Sequence, residues 1–358
     1  MKHATPEQQI LSLSLMPLTD SAPLVVAEAA GFFAREGLHV ALSAERSWAA
    51  VRDKLAAGRS DGAALLAPMP LAAALGLDPI EMPIQTVAAL NQGGSGFCVT
   101  PDLYARLTSF GVVENPTPVH WVRALKQLIE AERGSRPPIT LAHVYPHSTH
   151  HYELRYWLGS AGLSPDRDLN LVTVPPPMMV GQPERGPIHG AWGGPPWPAP
   201  AHPLGGSQVF VDKRQFWGQG PEKVFAVTRP FAEANPNTVA ALLRALIRAG
   251  RWLDDTSNHP SAARWLNQCL LPDAAPELLE AELKTIRFHA DFAGFPWRAH
   301  SEWLLTQMQR WRHIPSQANT QAALNCLRPD LYRAAALSLG EPQPDGDEQS
   351  PAMQSQPG

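Results

Sequence analysis

The sequence predicts an α/β protein of two lobes with a ligand cleft between them. Three observations lead there. The chain has 358 residues, and at roughly 150 residues per domain that length fits two units. Segments with strand periodicity alternate with segments of helical periodicity, the pattern of strand–helix–strand units and parallel sheets. Finally, "GGPPWPAPAHPLGG" at 193–206 is too rich in proline and glycine for either element, so it reads as a crossing segment or hinge loop.

The first lobe opens with "ILSLSLMPL" at 10–18, which alternates apolar and polar residues like a half-buried strand. The next stretch, "TDSAPLVVAEAAGFFAREGL", is a helix. Ser21 suits its N-cap, Pro23 its first turn and Gly37 its exit, while Leu24, Ala27 and Phe32 form a buried face. "HVALSAE" returns as a strand, and "SWAAVRDKLAAGRSDGAALLAPMPLAAALGL" reads as helix, short strand, helix. A second α/β stretch follows, with strands in "GSGFCVT" and "PITLAHV", a helix in "THHYELRYWLGSAGL", and a strand running into a helix in "LNLVTVPPPMMV". The later chain is helical. In "NPNTVAALLRALIRAGRWLDD", Asn235 caps, Pro236 starts, and Val239, Leu242, Leu243, Leu246 and Leu253 share one face. "SEWLLTQMQRWRHIP" is another amphipathic helix. The tail after about residue 340 lacks core-forming residues and is expected to be disordered. The expected division is 10–97 plus 206–338 for lobe one, 98–205 for lobe two, and 341–358 for the tail.

Composition excludes several classes. Net charge is −4 with no Lys/Arg-rich run, so a nucleic-acid phosphate footprint is not expected. No apolar run approaches the roughly 20 residues that span a bilayer. Cys98, Cys269 and Cys326 are far apart, poor material for a disulfide framework or a zinc ribbon. The first twenty residues lack a charged segment followed by a long apolar one. The expectation is therefore a cytoplasmic protein, or a periplasmic one if a leader has been removed.

The stretch "HVYPHSTHH" at 143–151 carries four histidines, His143, His147, His150 and His151. A metal site would want two histidines four apart on a helix with a third ligand, or mixed Cys/His spacing. Adjacent His150 and His151 instead diverge by about 100° on a helix. A catalytic site would want a nucleophile or a paired acid and base. The chain shows no G-x-S-x-G or Cys–His arrangement, and the one nearby carboxylate is Glu153. An anion site is better supported. A strand, a turn and a helix capped by Ser148 or Thr149 aim free N–H groups and the positive end of the helix dipole at a ligand. A histidine on the first turn adds a donor. No catalytic residue, metal or cofactor is expected.

The segments "MPLTDSAPLVVAEAAGFFAREGL", "SWAAVRDKLAAGRSDGAALLAPMPL", "STHHYELRYWLGSAGLSPDRDLNLVTVPPPMMV", "PEKVFAV" and "FPWRAHSEWLLTQMQRW" resemble the nitrate-binding proteins of the nitrate/bicarbonate ABC-transporter group. Within it they look most like the cytosolic nitrate-sensing, NasS-type branch. The resemblance covers about residues 10–338 in order. It implies a two-lobed, periplasmic-binding-protein-like (type II) fold whose C-terminal helices return to lobe one. It places the ligand-contacting tryptophan on Trp48, the histidine on His150 and the lysine on Lys223, where bicarbonate-type relatives carry an acidic residue. Ser95 stands where the family has glutamine. Gly193 and Gly194 complete the candidate ligand set. The family's acidic D-G-F-C-x-G-E-P-W-N segment is replaced by "HGAWGGPPWPAP", with His189, Pro195 and Pro198 at its Asp, Glu and Asn positions. These departures predict an altered pocket.

The chemistry of a planar, monovalent oxyanion fits the set. An indole offers an apolar face, a lysine the compensating charge, and a histidine with backbone N–H groups in-plane donors. The resemblance implies a nitrate or nitrite sensor that holds an RNA-binding antiterminator partner until the anion binds, with no direct contact to nucleic acid and no membrane insertion. The alternatives are the receptor component of a nitrate/bicarbonate-type ABC importer, a diverged paralogue with a changed ligand, and an enzyme built on the same kind of fold, such as the thiamine-precursor synthases.

Overall fold

The computed structural model describes residues 4–78, 82–110, 116–178, 188–197, 208–218 and 220–347. Twelve strands lie among them: β1 (Ile10–Leu15), β2 (His39–Ala44), β3 (Gly62–Leu66), β4 (Ile84–Ala89), β5 (Gln92–Gly93), β6 (Gly96–Val99), β7 (Thr140–His143), β8 (Asn170–Thr173), β9 (Gly190–Gly193), β10 (Gln208–Asp212), β11 (Lys223–Thr228) and β12 (Ile286–Arg287). They form one five-stranded sheet per lobe, ordered β2-β1-β3-β11-β4 and β10-β6-β9-β7-β8, plus a small ribbon of β12 and β5.

Both large sheets are mixed, which corrects the expectation of parallel sheets. β1 runs parallel to β2 and β3, and β7 runs parallel to β8 and β9. However, β11 is antiparallel to β3 and β4, and β6 is antiparallel to β9 and β10. The reversed strands β6 and β11 are the ones entered directly from a crossing between lobes. The chain reaches β6 without a helix and β11 after only the short helix Lys213–Trp217, and both run opposite to the strand–helix–strand units.

The helical cap follows from its pattern. Helix Pro236–Asp254 buries Val239, Leu242, Leu243, Leu246 and Leu253 against helices Ala22–Ala29 and Pro329–Ser338, so the C-terminal helices pack on lobe one. In lobe two, Phe97, Trp157 and Trp192 cluster with ring centroids 5.0–6.3 Å apart. Two cap assignments need correcting. Ser21 donates its hydroxyl back to Met16 O at 2.8 Å, and the Asn235 amide donates to Phe231 O at 3.1 Å. Neither caps a helix with its side chain; at the second helix the Asn237 and Thr238 N–H groups donate to the Glu7 carboxylate instead, at 3.1 and 2.9 Å. Ser148 does cap helix Thr149–Ser160, accepting from His151 N at 3.0 Å.

The lobe boundaries also shift. β10 at 208–212 pairs with β6, so lobe two extends to Asp212 and the return crossing is 213–222, not 206. Residues 198–206 of the expected crossing lie outside the described residues; the described part, 193–197, begins at the end of β9. It reaches lobe one through Pro195 O, which accepts from Thr19 N at 2.9 Å, and Trp197 Nε1, which donates to Pro17 O at 3.2 Å. The outward crossing is 90–95. Gly93 and Gly94 have φ of 77° and 87°, and a Cβ on Gly94 would lie 2.6 Å from Ile286 Cγ1. Only glycine accepts that backbone and that approach. The tail expected from residue 341 is ordered as far as 347. Arg333 binds Asp347 and the carbonyls of Pro344 and Gly346, and Arg298 N donates to Asp347 O at 3.0 Å. The part of that expectation covering 348–358 lies outside the described residues. Among the described residues no helix is long and apolar enough to cross a membrane.

Candidate functional site

The candidate residues gather where the two sheets face each other, at the ends that open α/β sheets use for ligands. Asp20 follows the carboxyl end of β1, Trp48 that of β2, His150 that of β7 and Gly194 that of β9. Because β11 and β6 are antiparallel to their neighbours, their first residues fall at the same edges. Lys223 pairs with Leu66 at the end of β3, and Ser95 immediately precedes Gly96, which pairs with Gly193 at the end of β9. Reversal of these two strands thus delivers a lysine and a serine to the site.

Trp48 opens helix Trp48–Ala56, whose N-cap Ser47 accepts from Ala50 N at 3.1 Å. Its ring lies 5.7 Å from Lys223 Nζ, close enough for a cation–π contact. Lys223 Nζ pairs with Asp20 Oδ2 at 2.5 Å and Glu222 Oε2 at 3.0 Å, and its backbone N–H donates to Asn91 Oδ1 at 3.1 Å. His150, on the first turn of its helix, places Nε2 2.9 Å from Glu222 Oε2. Lys213 Nζ lies 2.5 Å from Glu222 Oε1 and 2.7 Å from Glu153 Oε1. Ser95 Oγ donates to Glu222 Oε1 at 2.5 Å, and Thr149 Oγ1 to Glu222 Oε2 at 3.3 Å. Glu222 is therefore the knot that ties lobe two to the return crossing.

Gly194 completes the convergence. A Cβ there would lie 3.2 Å from Asp20 Oδ2, 3.5 Å from Lys223 Nζ and 3.9 Å from His150 Cε1. Gly193 is one residue back, in β9 opposite Gly96. Trp48, Ser95, His150 and Lys223 are all buried, as are Asp20, Glu153, Lys213 and Glu222. Among these side chains Trp48 Nε1, His150 Nδ1 and Asp20 Oδ1 have no hydrogen-bond partner in the protein. Buried polar atoms without partners are costly, so an indole donor, an imidazole nitrogen and a carboxyl oxygen around one lysine mark unspent bonding capacity.

Burial shapes the charges. It pulls the His150 pKa down to about 4, with Glu222 only partly opposing, so the imidazole is neutral at pH 7. For Glu222 burial works upward, but Lys213, Lys223 and His150 outweigh it and hold the carboxyl well below its ordinary value. Burial raises Glu153 to about 7 against the pull of Lys213, and raises Asp20 against the pull of Lys223. Lys223 is raised despite burial, because Asp20 and Glu222 face it. At neutral pH the cluster holds a firm anion in Glu222, a firm cation in Lys223, and two carboxyls that take protons readily.

The other histidines are engaged elsewhere. His143 and His151 stack with centroids 3.9 Å apart. Arg155 Nε donates to His151 Nε2 at 2.6 Å, and His147 lies 3.5 Å from the Tyr152 hydroxyl. Among the described residues no three His, Cys, Asp or Glu side chains come together as a metal site. His189 lies on the far end of β9, where its Nδ1 accepts from Thr140 N at 2.9 Å and closes a strand edge. Pro195 contributes only its carbonyl, to Thr19, and Pro198 lies outside the described residues.

Sequence reasoning reached Trp48, Ser95, His150, Lys223, Gly193 and Gly194 but missed Asp20, Glu222 and Lys213. Glu222 was visible as the middle residue of "PEK", and Asp20 as the one acid in an otherwise apolar and hydroxylic "MPLTDSAPLVV". A lone acid among core residues is a signal for a buried partner. Lys213 carries no such mark.

A two-lobed fold with a buried, charged centre shared by both lobes is the architecture of solute-binding proteins. The chain belongs to the NMT1-like family, which it matches over residues 4–267. It is 29% identical over 355 residues to the nitrate/nitrite binding protein NrtA of Nostoc sp., an alignment covering 92% of this chain and 77% of that one. It is 33% identical to the nitrate import ATP-binding protein NrtC of Synechocystis sp., covering 94% of this chain and 51% of that one, so it spans about half of that longer relative. The crystal structure of the periplasmic nitrate-binding protein NrtA from Synechocystis superposes with a TM-score of 0.87 at 26% identity, covering 97% of this chain and 94% of the other.

Proposed function

We propose that the chain is a non-catalytic binding protein for a small planar oxyanion, nitrate or nitrite, held between Trp48, His150, Lys223 and the Gly194 backbone. One observation carries this reading. A lysine, a neutral imidazole, an indole and a side-chain-free backbone position converge from both lobes on one buried spot. The names of the NrtA relatives support the choice of anion. Lys223 supplies charge, the Trp48 indole offers an apolar face and a free N–H to a flat anion, and the neutral His150 lines the spot with its single N–H held by Glu222.

In its finer form the proposal is a cytosolic sensor that holds an RNA-binding antiterminator partner until the anion binds. Anion and partner then weaken each other's binding by linkage. The relatives named as nitrate-binding and nitrate-import proteins favour a second reading, the receptor of an ABC importer with the same site.

Calorimetric titration with nitrate, nitrite, bicarbonate and sulfate tests the anion. Nitrate or nitrite should bind, and Trp48→Ala, His150→Ala and Lys223→Ala should each weaken binding at least tenfold. Unchanged binding in all three variants would remove the site assignment, and no binding of any of the four anions would remove the function. Cell fractionation and affinity purification with and without nitrate separate the two roles. A cytoplasmic complex that nitrate dissolves marks the sensor, and a periplasmic protein without such a partner marks the receptor.

A further inference from the structure

We infer that Asp20 is a direct contact for the bound anion and that it holds a proton when the anion is in place, so that capture of the anion is coupled to uptake of a proton. This inference rests on the anion-binding reading of the same site.

Charge counting is the first support. The buried cluster contains three carboxyls, Asp20, Glu153 and Glu222, against two ammonium groups, Lys213 and Lys223, with all five side chains buried. Fully ionised, it carries one net negative charge. A monovalent anion would bring a second into a region with no exposed group to screen it. Unpaired buried charge of that kind is avoided by protonation.

Geometry then selects Asp20 as the carrier. Glu222 is surrounded by Lys213, Lys223, His150, Ser95 and Thr149, and it is the last group to accept a proton. Glu153 faces Lys213 at 2.7 Å and Ser95 at 3.5 Å, away from Lys223. Asp20 lies against Lys223 on one side and the Gly194 position on the other, and its Oδ1 has no partner. Among the remaining charged neighbours, Glu222 favours a proton on Asp20 and Lys213 opposes it. Glu282, on the helix packed beneath Thr19, accepts from the Thr19 hydroxyl at 3.0 Å and is raised to about 8 by burial, so it is neutral at pH 7. Burial already raises the Asp20 carboxyl before any anion arrives.

The exchange balances. An ionised Asp20, a proton and an anion become a neutral Asp20 with the anion beside it, and the cluster keeps its net charge. Lys223 gives up one carboxylate partner and gains the anion. The protonated carboxyl, formerly acceptor only, becomes a donor to an anion oxygen. The sign follows directly. The anion raises the Asp20 pKa further, so affinity is highest at acid pH and falls by about tenfold per pH unit above the pKa of the ligand-free site.

The test is nitrate titration of the full chain from pH 5.5 to 8.5, in pairs of buffers with different ionisation enthalpies. Wild type should weaken steadily toward pH 8.5 and take up about one proton per anion there. Asp20→Asn, a fixed neutral isostere, should bind at pH 8.5 at least as tightly as wild type at pH 5.5, with a flat profile. Asp20→Ala should also be flat but weaker than Asp20→Asn, because the donor is gone. A flat wild-type profile with no proton uptake overturns the coupling and leaves the anion site standing. Equal affinities for Asp20→Asn and Asp20→Ala overturn the contact. Absence of nitrate binding at pH 5.5 removes the anion-binding reading itself, and this inference with it.

Discussion

Gly194 and Asp20 meet across the boundary between the lobes at a distance that would crowd a methyl group. A Cβ on Gly194 would sit 3.2 Å from Asp20 Oδ2, with Lys223 Nζ at 3.5 Å behind it. The backbone of lobe two therefore closes directly onto the charged pair of lobe one. Gly194→Ala should hold the lobes apart or displace the pair. We expect roughly a tenfold loss of anion affinity, since an overpacked contact costs on the order of 1–3 kcal/mol. Thermal stability should change little, because the strain is relieved by opening. Calorimetry and differential scanning fluorimetry read the two separately, and unchanged affinity would count against the closure.

Glu222→Gln tests the knot. Two buried lysines lose the carboxylate they share, and Lys213 keeps Glu153 and the Pro221 carbonyl. Removing one partner from a buried ionic network costs about 3–5 kcal/mol. Urea unfolding at pH 7 should show a loss of that order. A loss below about 1 kcal/mol would mean that the cluster is solvated rather than buried.

Stability should fall on both sides of neutrality, for opposite reasons. Burial lowers His143 to about 3, His150 to about 4 and His300 to about 3, against an ordinary 6.5. Between those values the unfolded chain binds more protons, so stability is lost as pH falls from about 6.5 toward 4, by up to about 1.4 kcal/mol per pH unit for each group. Burial raises Glu282 to about 8 from 4.5. There the folded chain holds the proton, so its contribution is full at acid pH and is lost as pH rises toward 8. Glu282→Gln should therefore raise the thermal midpoint at pH 8.5 relative to wild type more than at pH 5.5. Equal shifts at both pH values would argue against a buried, protonated Glu282.

His189→Ala probes the most conspicuous departure from the family segment. The imidazole serves the Thr140 N–H and does not face the charged cluster. The substitution should cost about 1 kcal/mol of stability, the usual value of one hydrogen bond, and leave anion affinity unchanged. A change in affinity would place His189 in the ligand's surroundings after all.

Much of the fold was legible because its signals are local. The alternation in "ILSLSL", the apolar face from Val239 to Leu253 and the Ser148 cap each depend on residues a few positions apart. Strand direction is not local. That β11 runs against β3 and β4 follows from where residues 213–222 cross, and no periodicity within "KVFAVT" records it. The site divides the same way. Trp48, His150 and Lys223 stand in motifs that survive as sequence, whereas Asp20, Glu153, Lys213 and Glu222 acquire meaning only from one another. Their separations along the chain reach about two hundred residues, and each alone reads as an ordinary acid or base. The departures at His189, Pro195 and Pro198 predict an altered pocket but say nothing of the three carboxyls that the centre draws from other segments.

The β5–β12 ribbon changes what kind of joint connects the lobes. Ile286 and Arg287 pair with Gly93 and Gln92, and Gln92 also bridges to Pro221, so the two crossings and a third pass of chain are laminated together. That third pass leaves helix Pro276–Leu283, whose Glu282 holds Thr19 beneath the site. Bending at such a laminate shears three layers instead of twisting two linkers. Its stiffness is therefore set partly on the outer face of lobe one, where a load on helix Pro276–Leu283 is transmitted to the pivot without touching the ligand.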